Sequence, residues 1–188
     1  MLIPKTKGEI WLNRVRVWLP PAFVVVALAL GRPAWHWWGV PLVVAGEAVR
    51  TWAAGHLLKD EQLTVGGPYA YVRNPLYVGS LLSGVGFLVV VGDWRLAAAF
   101  VVVALAIYLP TVRQEEGYLG RMHGEAFAEY RRRVPGLAPR LRPARLEAAG
   151  LRRSGFEWRW VWLNKEHRTW IALGAVFALL AARTWWSG

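Results

Sequence analysis

The chain has no cysteine. Disulfides, thiolate zinc sites and a cysteine nucleophile are excluded together. It is also poor in charge: 19% of its 188 residues are Asp, Glu, Lys or Arg, against 55% hydrophobic residues with thirteen Trp among them. With a positive mean hydropathy, this is the composition of a membrane protein rather than of an ordinary soluble domain.

Long apolar runs carry that reading further. A helix crossing about 30 Å of hydrocarbon needs roughly 20 residues, and residues 15–31, 34–58, 75–92 and 96–112 each read as a membrane span. Residues 169–182 make a shorter fifth, with Trp170, Trp185 and Trp186 at its ends to extend its reach. A secretory leader is disfavoured, because Pro20 and Pro21 interrupt the first run and no small-residue cleavage site follows. The N-terminus is expected to stay attached.

Acidic residues are scarce, 12 against 23 Lys and Arg, and the resulting +11 is unevenly placed. Basic residues outnumber acidic ones four to one in residues 1–17, three to two in 50–73 and thirteen to seven in 113–168. The turns at Arg32 and around Asp93 carry almost nothing. Basic connections therefore alternate with neutral ones, and positive charge marks the cytoplasmic side. The N-terminus is predicted inside, and the C-terminus outside if the fifth helix spans. This pattern accounts for the basic surplus without nucleic acid as a partner. The predicted fold is all-α and polytopic: a single domain over 1–188 with about five transmembrane helices and a cytoplasmic amphipathic and interfacial segment between the last two.

Local patterns refine this outline. In RQEEGYLGRMHGEAFAEYRRRVP, Leu119, Met122, Ala126 and Tyr130 recur at steps of three and four. They predict an amphipathic helix ending before Pro135 and Gly136. The WRWVWL stretch around Trp160 reads as interfacial, and Asn164 as the N-cap of the last helix. The indoles gather near proposed span ends, where their rings suit the headgroup level. Gly79 with Ser83, and Ser80 with Gly84, are spaced to let another helix approach closely. Gly84-Val85-Gly86 is no nucleotide fingerprint, since no strand precedes it.

Some charges stand where apolar residues are expected. Glu47, Arg50 and His56 lie within or at the end of the second run. Ionisable groups at bilayer depth cost about 2.5–3.5 kcal/mol on the insertion scale and usually face a cavity or a partner. Glu47 and Arg50, at i and i+3, share a helical face. A structural ion pair and a substrate-binding role stand level for them. Glu115 and Glu116 follow the fourth run. Neighbours on a helix diverge by about 100°, so one can face a pocket while the other pairs with arginine or caps; a merely solvated face is the simpler alternative.

The stretch GGPYAYVRNPLYVGS, residues 66–80, sets a turn, three tyrosines and one arginine at the mouth of the third run. Its GPYAYVRNPLYVG resembles the G-x-Y-x-x-x-R-H-P-x-Y-x-G signature of the isoprenylcysteine carboxyl methyltransferase and phospholipid methyltransferase superfamily. The downstream EEGYLGRMHGEAFAEYRRRVP is similar to that family's second block, a pair of acids followed by spaced aromatics and R-V-P. Together the two blocks cover roughly residues 45–140, while 141–188 are less diagnostic. The resemblance implies membrane helices and S-adenosylmethionine bound without a Rossmann fold. It implies cofactor contacts at His56, Tyr69, Arg73, Asn74, Tyr77, Glu115 and Glu116, and catalytic roles for Arg73, Glu116 and Arg133, with no metal. Arg73 is expected to pair with the cofactor's carboxylate. Asn74 departs from the pattern, where histidine is commoner; an amide does not titrate near neutrality, which counts against a general base there.

The activity so implied is methyl transfer to a lipophilic acceptor entering from the bilayer, either a phospholipid amine or an isoprenylcysteine-like carboxylate or thiol. Glu47 and Arg50 are the candidates for holding it. The competing reading is a small membrane scaffold or transporter subunit in which Glu47, Arg50 and His56 form a polar pathway. A transporter has no reason to keep both blocks.

Overall fold

A computed structural model describes residues 22, 24–26, 36–57, 63–146, 151–152 and 155–187. The first predicted span, 15–31, lies outside the described residues except for 22 and 24–26, which are helical. The described chain is mostly helical.

Two antiparallel helices make the frame. Helix α1, Val40–His56, follows a 3-10 turn at Trp37–Gly39 and carries a proline in its first turn, where a missing N–H is no loss. Pro75 opens helix α2, Pro75–Val91, in the same way. Gly92, at φ 84°, ends it in the left-handed region, its N–H reaching the carbonyls of Leu88 and Val89 at 3.0 Å. The two backbones nearly touch: a Cβ on Gly79 would lie 2.6 Å from Arg50 Cγ and 2.7 Å from the Gly46 carbonyl. Only glycine permits that approach, in line with the small-residue spacing of α2.

Helix α3, Trp94–Arg133, starts at Asp93, whose carboxylate accepts the N–H groups of Arg95 at 2.9 Å and Leu96 at 3.2 Å. Val43, Phe87, Leu88, Phe100, Ala104, Tyr108 and Leu180 form the core that joins α1, α2 and α3 to the last helix, α5, Glu166–Ser187. A second core of Leu63, Val65, Phe127, Tyr130, Val134 and Leu146 fastens the α1–α2 connection beneath the far end of α3. Burying each such large side chain contributes about 1.5–3 kcal/mol on a water-facing part of the molecule. A two-residue parallel pairing of β1, Leu63–Thr64, with β2, Leu151–Arg152, closes the same region.

Two expectations change, and the WRWVWL stretch takes a defined form. The amphipathic helix is not separate from the fourth span: α3 runs on to Arg133 and bends at Gly124, whose φ of 50° and ψ of −124° a side chain would resist. WRWVWL is a helix, α4, Trp158–Leu163. Asn164 does not cap α5. Its amide instead donates to the carbonyls of Ala54 at 2.9 Å and Leu57 at 3.0 Å, filling orphan acceptors at the end of α1. Among the described residues, α3 alone is long and apolar enough to cross a membrane. At 17 residues each, α1 and α2 reach only about 25 Å, and α5 carries Glu166, Arg168 and Arg183. Exposed indoles mark both ends of the frame, Trp37, Trp38 and Trp94 at one and Trp158 and Trp162 at the other.

Candidate functional site

The α1–α2 connection reaches the site through a 3-10 turn at Gly67–Ala70. Gly67 has φ 56°, and a Cβ there would stand 2.5 Å from His56 Nε2, so the imidazole backs the turn. The other ring nitrogen of His56 lies 2.9 Å from the Trp52 carbonyl, and Phe156 stands edge-on to the ring. The chain after α3 then laces along this connection. Arg73 N–H donates to the Pro135 carbonyl at 2.9 Å, Arg140 N–H to Tyr71 at 3.0 Å and Ala144 N–H to Ala70 at 2.9 Å. Asn74 reaches the Gly136 carbonyl with both its backbone N–H, at 3.2 Å, and its side-chain amide, at 3.1 Å.

This lacing sets Arg73 against Glu116. Nε and Nη2 donate to one Glu116 oxygen at 2.9 and 2.6 Å. Nη1 donates to the Arg131 carbonyl at 3.0 Å and to that of Val134, at the C-terminal end of α3. Four of the five guanidinium N–H groups are thus taken within the protein. Arg73 is first a clamp on Glu116 and on the helix end. Glu115 points elsewhere, as its 100° offset requires, and accepts the Tyr77 hydroxyl at 3.0 Å. Tyr77 is itself held by Tyr108, ring centroids 4.8 Å apart. Glu116 also walls an open groove of about 750 Å³ between the two arms of α3, lined by Arg113, Gly117 and Gly120 on one side of Gly124 and by Phe127, Ala128, Arg131 and Arg132 on the other. Arg131 Nε stands 3.8 Å from the second Glu116 oxygen.

Tyr69 is buried to 7% exposure, and its hydroxyl has no hydrogen-bond partner among the described residues. Burial holds that phenol well above the usual tyrosine range, with Tyr130, Glu115 and Glu166 adding in the same direction. Tyr130, whose hydroxyl donates to the Tyr69 carbonyl at 2.8 Å, is likewise raised by burial. Arg133 does not join these groups. It lies on the water side, paired with Glu129 and donating to the Arg145 carbonyl at 3.0 Å. Two residues along a helix is about 200°, so with Arg131 turned toward Glu116 its neighbour Arg133 is turned away.

A second polar cluster lies deeper. Arg50 Nη2 donates to both Glu166 oxygens, at 2.8 and 2.9 Å, and Nη1 donates to the Ser80 hydroxyl. Glu47 is only a loose partner, 3.7 Å from Arg50 Nε, and accepts the Ser83 hydroxyl at 2.9 Å. Sequence reasoning did not find Glu166, 116 residues from Arg50. Its one local signal is an acid at the head of an apolar run.

The two motif blocks are therefore joined in space as well as in order. Residues 34–126 match the family model for phospholipid methyltransferase. By this match and the relatives that follow, the chain is similar to the isoprenylcysteine and phospholipid methyltransferase superfamily. Among its relatives are protein-S-isoprenylcysteine O-methyltransferase B of Arabidopsis thaliana, 33% identical over 55% of this chain and 61% of that protein, and the Schizosaccharomyces pombe protein-S-isoprenylcysteine O-methyltransferase, 32% identical over 52% and 42%. The cobalt-zinc-cadmium resistance protein CzcN of Cupriavidus metallidurans is 30% identical over 69% of this chain and 65% of its own length. The chain thus spans about two-fifths to two-thirds of these relatives. No solved structure matches it. Within the superfamily match fall Glu47, Arg50, His56, Tyr69, Arg73, Asn74, Tyr77, Glu115 and Glu116, while Arg133, Glu166 and Thr169 lie beyond it.

Proposed function

We propose that the chain is an integral membrane methyltransferase that takes its methyl group from S-adenosylmethionine and passes it to an acceptor with a long apolar tail. The observation that carries this reading is the pairing of Arg73 with Glu116, one residue from each motif block, at the edge of an open groove that Glu116 lines, with Tyr77 and Glu115 joining the two blocks a second time. The groove is within the roughly 300–1,000 Å³ of small-molecule sites. Its polar lining suits the cofactor: Glu116 offers an acceptor to an ammonium or to ribose hydroxyls, and Arg113 and Arg131 offer charge to a carboxylate. Arg73, largely spent on protein acceptors, serves by holding Glu116 in place. Asn74 and Pro75 fix the backbone between them.

When bound, S-adenosylmethionine supplies a methyl group on a sulfonium sulfur. The protein's share is to align the acceptor and keep water away. Tyr69 and Tyr130 stay protonated at neutral pH and offer no base. In this reading 15–31, α1, α2 and α5 accompany α3 across the bilayer, giving five spans. The N-terminus and the site face the cytoplasm, as the basic connections and the indoles at both helix ends favour.

A metal-handling role, after the name of the CzcN relative, finds less support: among the described residues no three His, Asp or Glu side chains converge. The transporter reading also weakens, because Arg50 is closed off by Glu166 and Ser80. The test is incubation of the purified protein with labelled S-adenosylmethionine and a host lipid extract, followed by mass analysis. A lipid gaining a methyl group is expected, and Glu116→Gln should weaken cofactor binding about tenfold or more, roughly 1.4 kcal/mol. Absence of both binding and methyl gain would refute the proposal.

A further inference from the structure

We infer that Glu47, Arg50, Glu166 and the Tyr69 hydroxyl form the subsite for the acceptor's polar head, and that it takes an amine rather than a carboxylate, held as its ammonium until the unfilled Glu47 oxygen accepts a proton and frees the nitrogen lone pair for the methyl group. The inference rests on the methyltransferase reading and deepens it. Its geometry begins on α2, where Tyr77, Ser80 and Ser83 follow one another at i+3. Successive members are neighbours on the helix surface, about 4.5 Å apart along the axis. Tyr77 holds Glu115, Ser80 receives Arg50 and Ser83 holds Glu47. One polar row therefore leads from the cofactor acids into the helices.

The row is not closed on itself. Among the described residues, Glu47 Oε2, Arg50 Nε and the Tyr69 hydroxyl are all buried without a hydrogen-bond partner. A buried group left so costs about 1–3 kcal/mol, which an incoming polar head relieves. Tyr69, buried in the 3-10 turn that packs on α1, brings the third unfilled group to that helix.

Charge selects the head. In the deeper cluster Arg50 faces Glu47 and Glu166, one cation against two carboxylates, a formal −1. An ammonium completes the balance, whereas a carboxylate adds repulsion where water is scarce. Arg50 is not available to a carboxylate, since Glu166 occupies Nη2 and Ser80 receives Nη1. Glu166 and Thr169, which close the cluster from α5, lie outside the matched 34–126. This selectivity is therefore built by a part of the chain the family model does not describe.

The test uses the full chain in nanodiscs without cofactor, titrated with dodecylamine, with dodecanoate and with phosphatidylethanolamine, and read by tryptophan fluorescence. Dodecylamine should bind about tenfold or more tighter than dodecanoate. Phosphatidylethanolamine binding as well places the head on a lipid; dodecylamine alone places it on a simple amine. Glu47→Gln should weaken the amine about tenfold, and Glu47→Gln with Glu166→Gln, which frees Arg50, should reverse the preference. Tyr69→Phe, which deletes an unpartnered hydroxyl, should keep or raise the melting temperature while weakening the amine, a combination no merely structural role produces. Equal binding of the two dodecyl ligands by the unaltered protein, or tighter dodecanoate, overturns the proposal without any variant having to fold. Cofactor affinity measured in parallel separates the two readings. Cofactor bound with dodecanoate preferred sinks the ammonium subsite alone; amine preferred with no cofactor bound sinks the methyltransferase and leaves the subsite standing.

Discussion

Replacing Arg73 by alanine tests the clamp on which the proposed cofactor site depends. The guanidinium makes two bonds to Glu116 and two to carbonyls at the end of α3, and the two side chains are 12% and 11% exposed. Hydrogen bonds to charged groups contribute about 1.5–3 kcal/mol each. Breaking a buried pair by removing one partner costs about 3–5 kcal/mol, because the other charge is left uncompensated. Arg73→Ala leaves Glu116 with Arg131 at 3.8 Å as its one remaining ion-pair partner among the described residues, so the upper part of that range is not reached. A loss of about 3 kcal/mol is expected. Arg73→Ala with Glu116→Ala removes both charges, and the cycle should return a coupling of about 2 kcal/mol. Arg73→Lys should recover little, since a point ammonium cannot serve two oxygens of the helix end and a carboxylate together. Reversible unfolding in mixed detergent micelles measures the parent, Arg73→Ala, Glu116→Ala, the double variant and Arg73→Lys. A coupling below about 0.5 kcal/mol, or a lysine variant as stable as the parent, refutes the clamp.

Two further outcomes follow from the packing and the buried phenols. Gly79→Leu pushes a side chain into Arg50 and the Gly46 carbonyl; overpacking costs about 1–3 kcal/mol, and a melting temperature within a degree of the parent would show that α1 and α2 do not touch there. Tyr69 and Tyr130 are raised by burial in the folded protein, so above about pH 10, where unfolded phenols ionise, the native state holds more protons than the unfolded one. Stability is then complete below that pH and falls above it by up to about 1.4 kcal/mol per pH unit for each tyrosine. Unfolding measured from pH 8 to 11 should show the decline, shallower in Tyr69→Phe, and a flat profile contradicts it.

What could be read from the chain alone was decided by range. The glycine spacing of α2 is a steric fact about one helix, and it found the close approach to α1. The 100° divergence of Glu115 and Glu116 is equally local, and the two acids do take separate partners, Tyr77 and Arg73. Arg133 was carried over from the R-V-P of the second block, whereas the fold turns Arg131 toward Glu116 and pairs Arg133 with Glu129. Asn164 was misjudged because a cap residue serves whichever helix end lacks a partner, and the end in need was that of α1. Glu47 and Arg50 show the same limit most sharply. Their i, i+3 spacing places them on one face, and pattern alone makes them each other's partner. Yet α5 presents Glu166 with two oxygens to one guanidinium nitrogen, a better geometry than the 3.7 Å contact along α1. By taking the arginine, Glu166 leaves Glu47 with a spare oxygen. The sign of the deeper cluster, and with it the acceptor proposed for it, therefore turns on a residue far away in sequence.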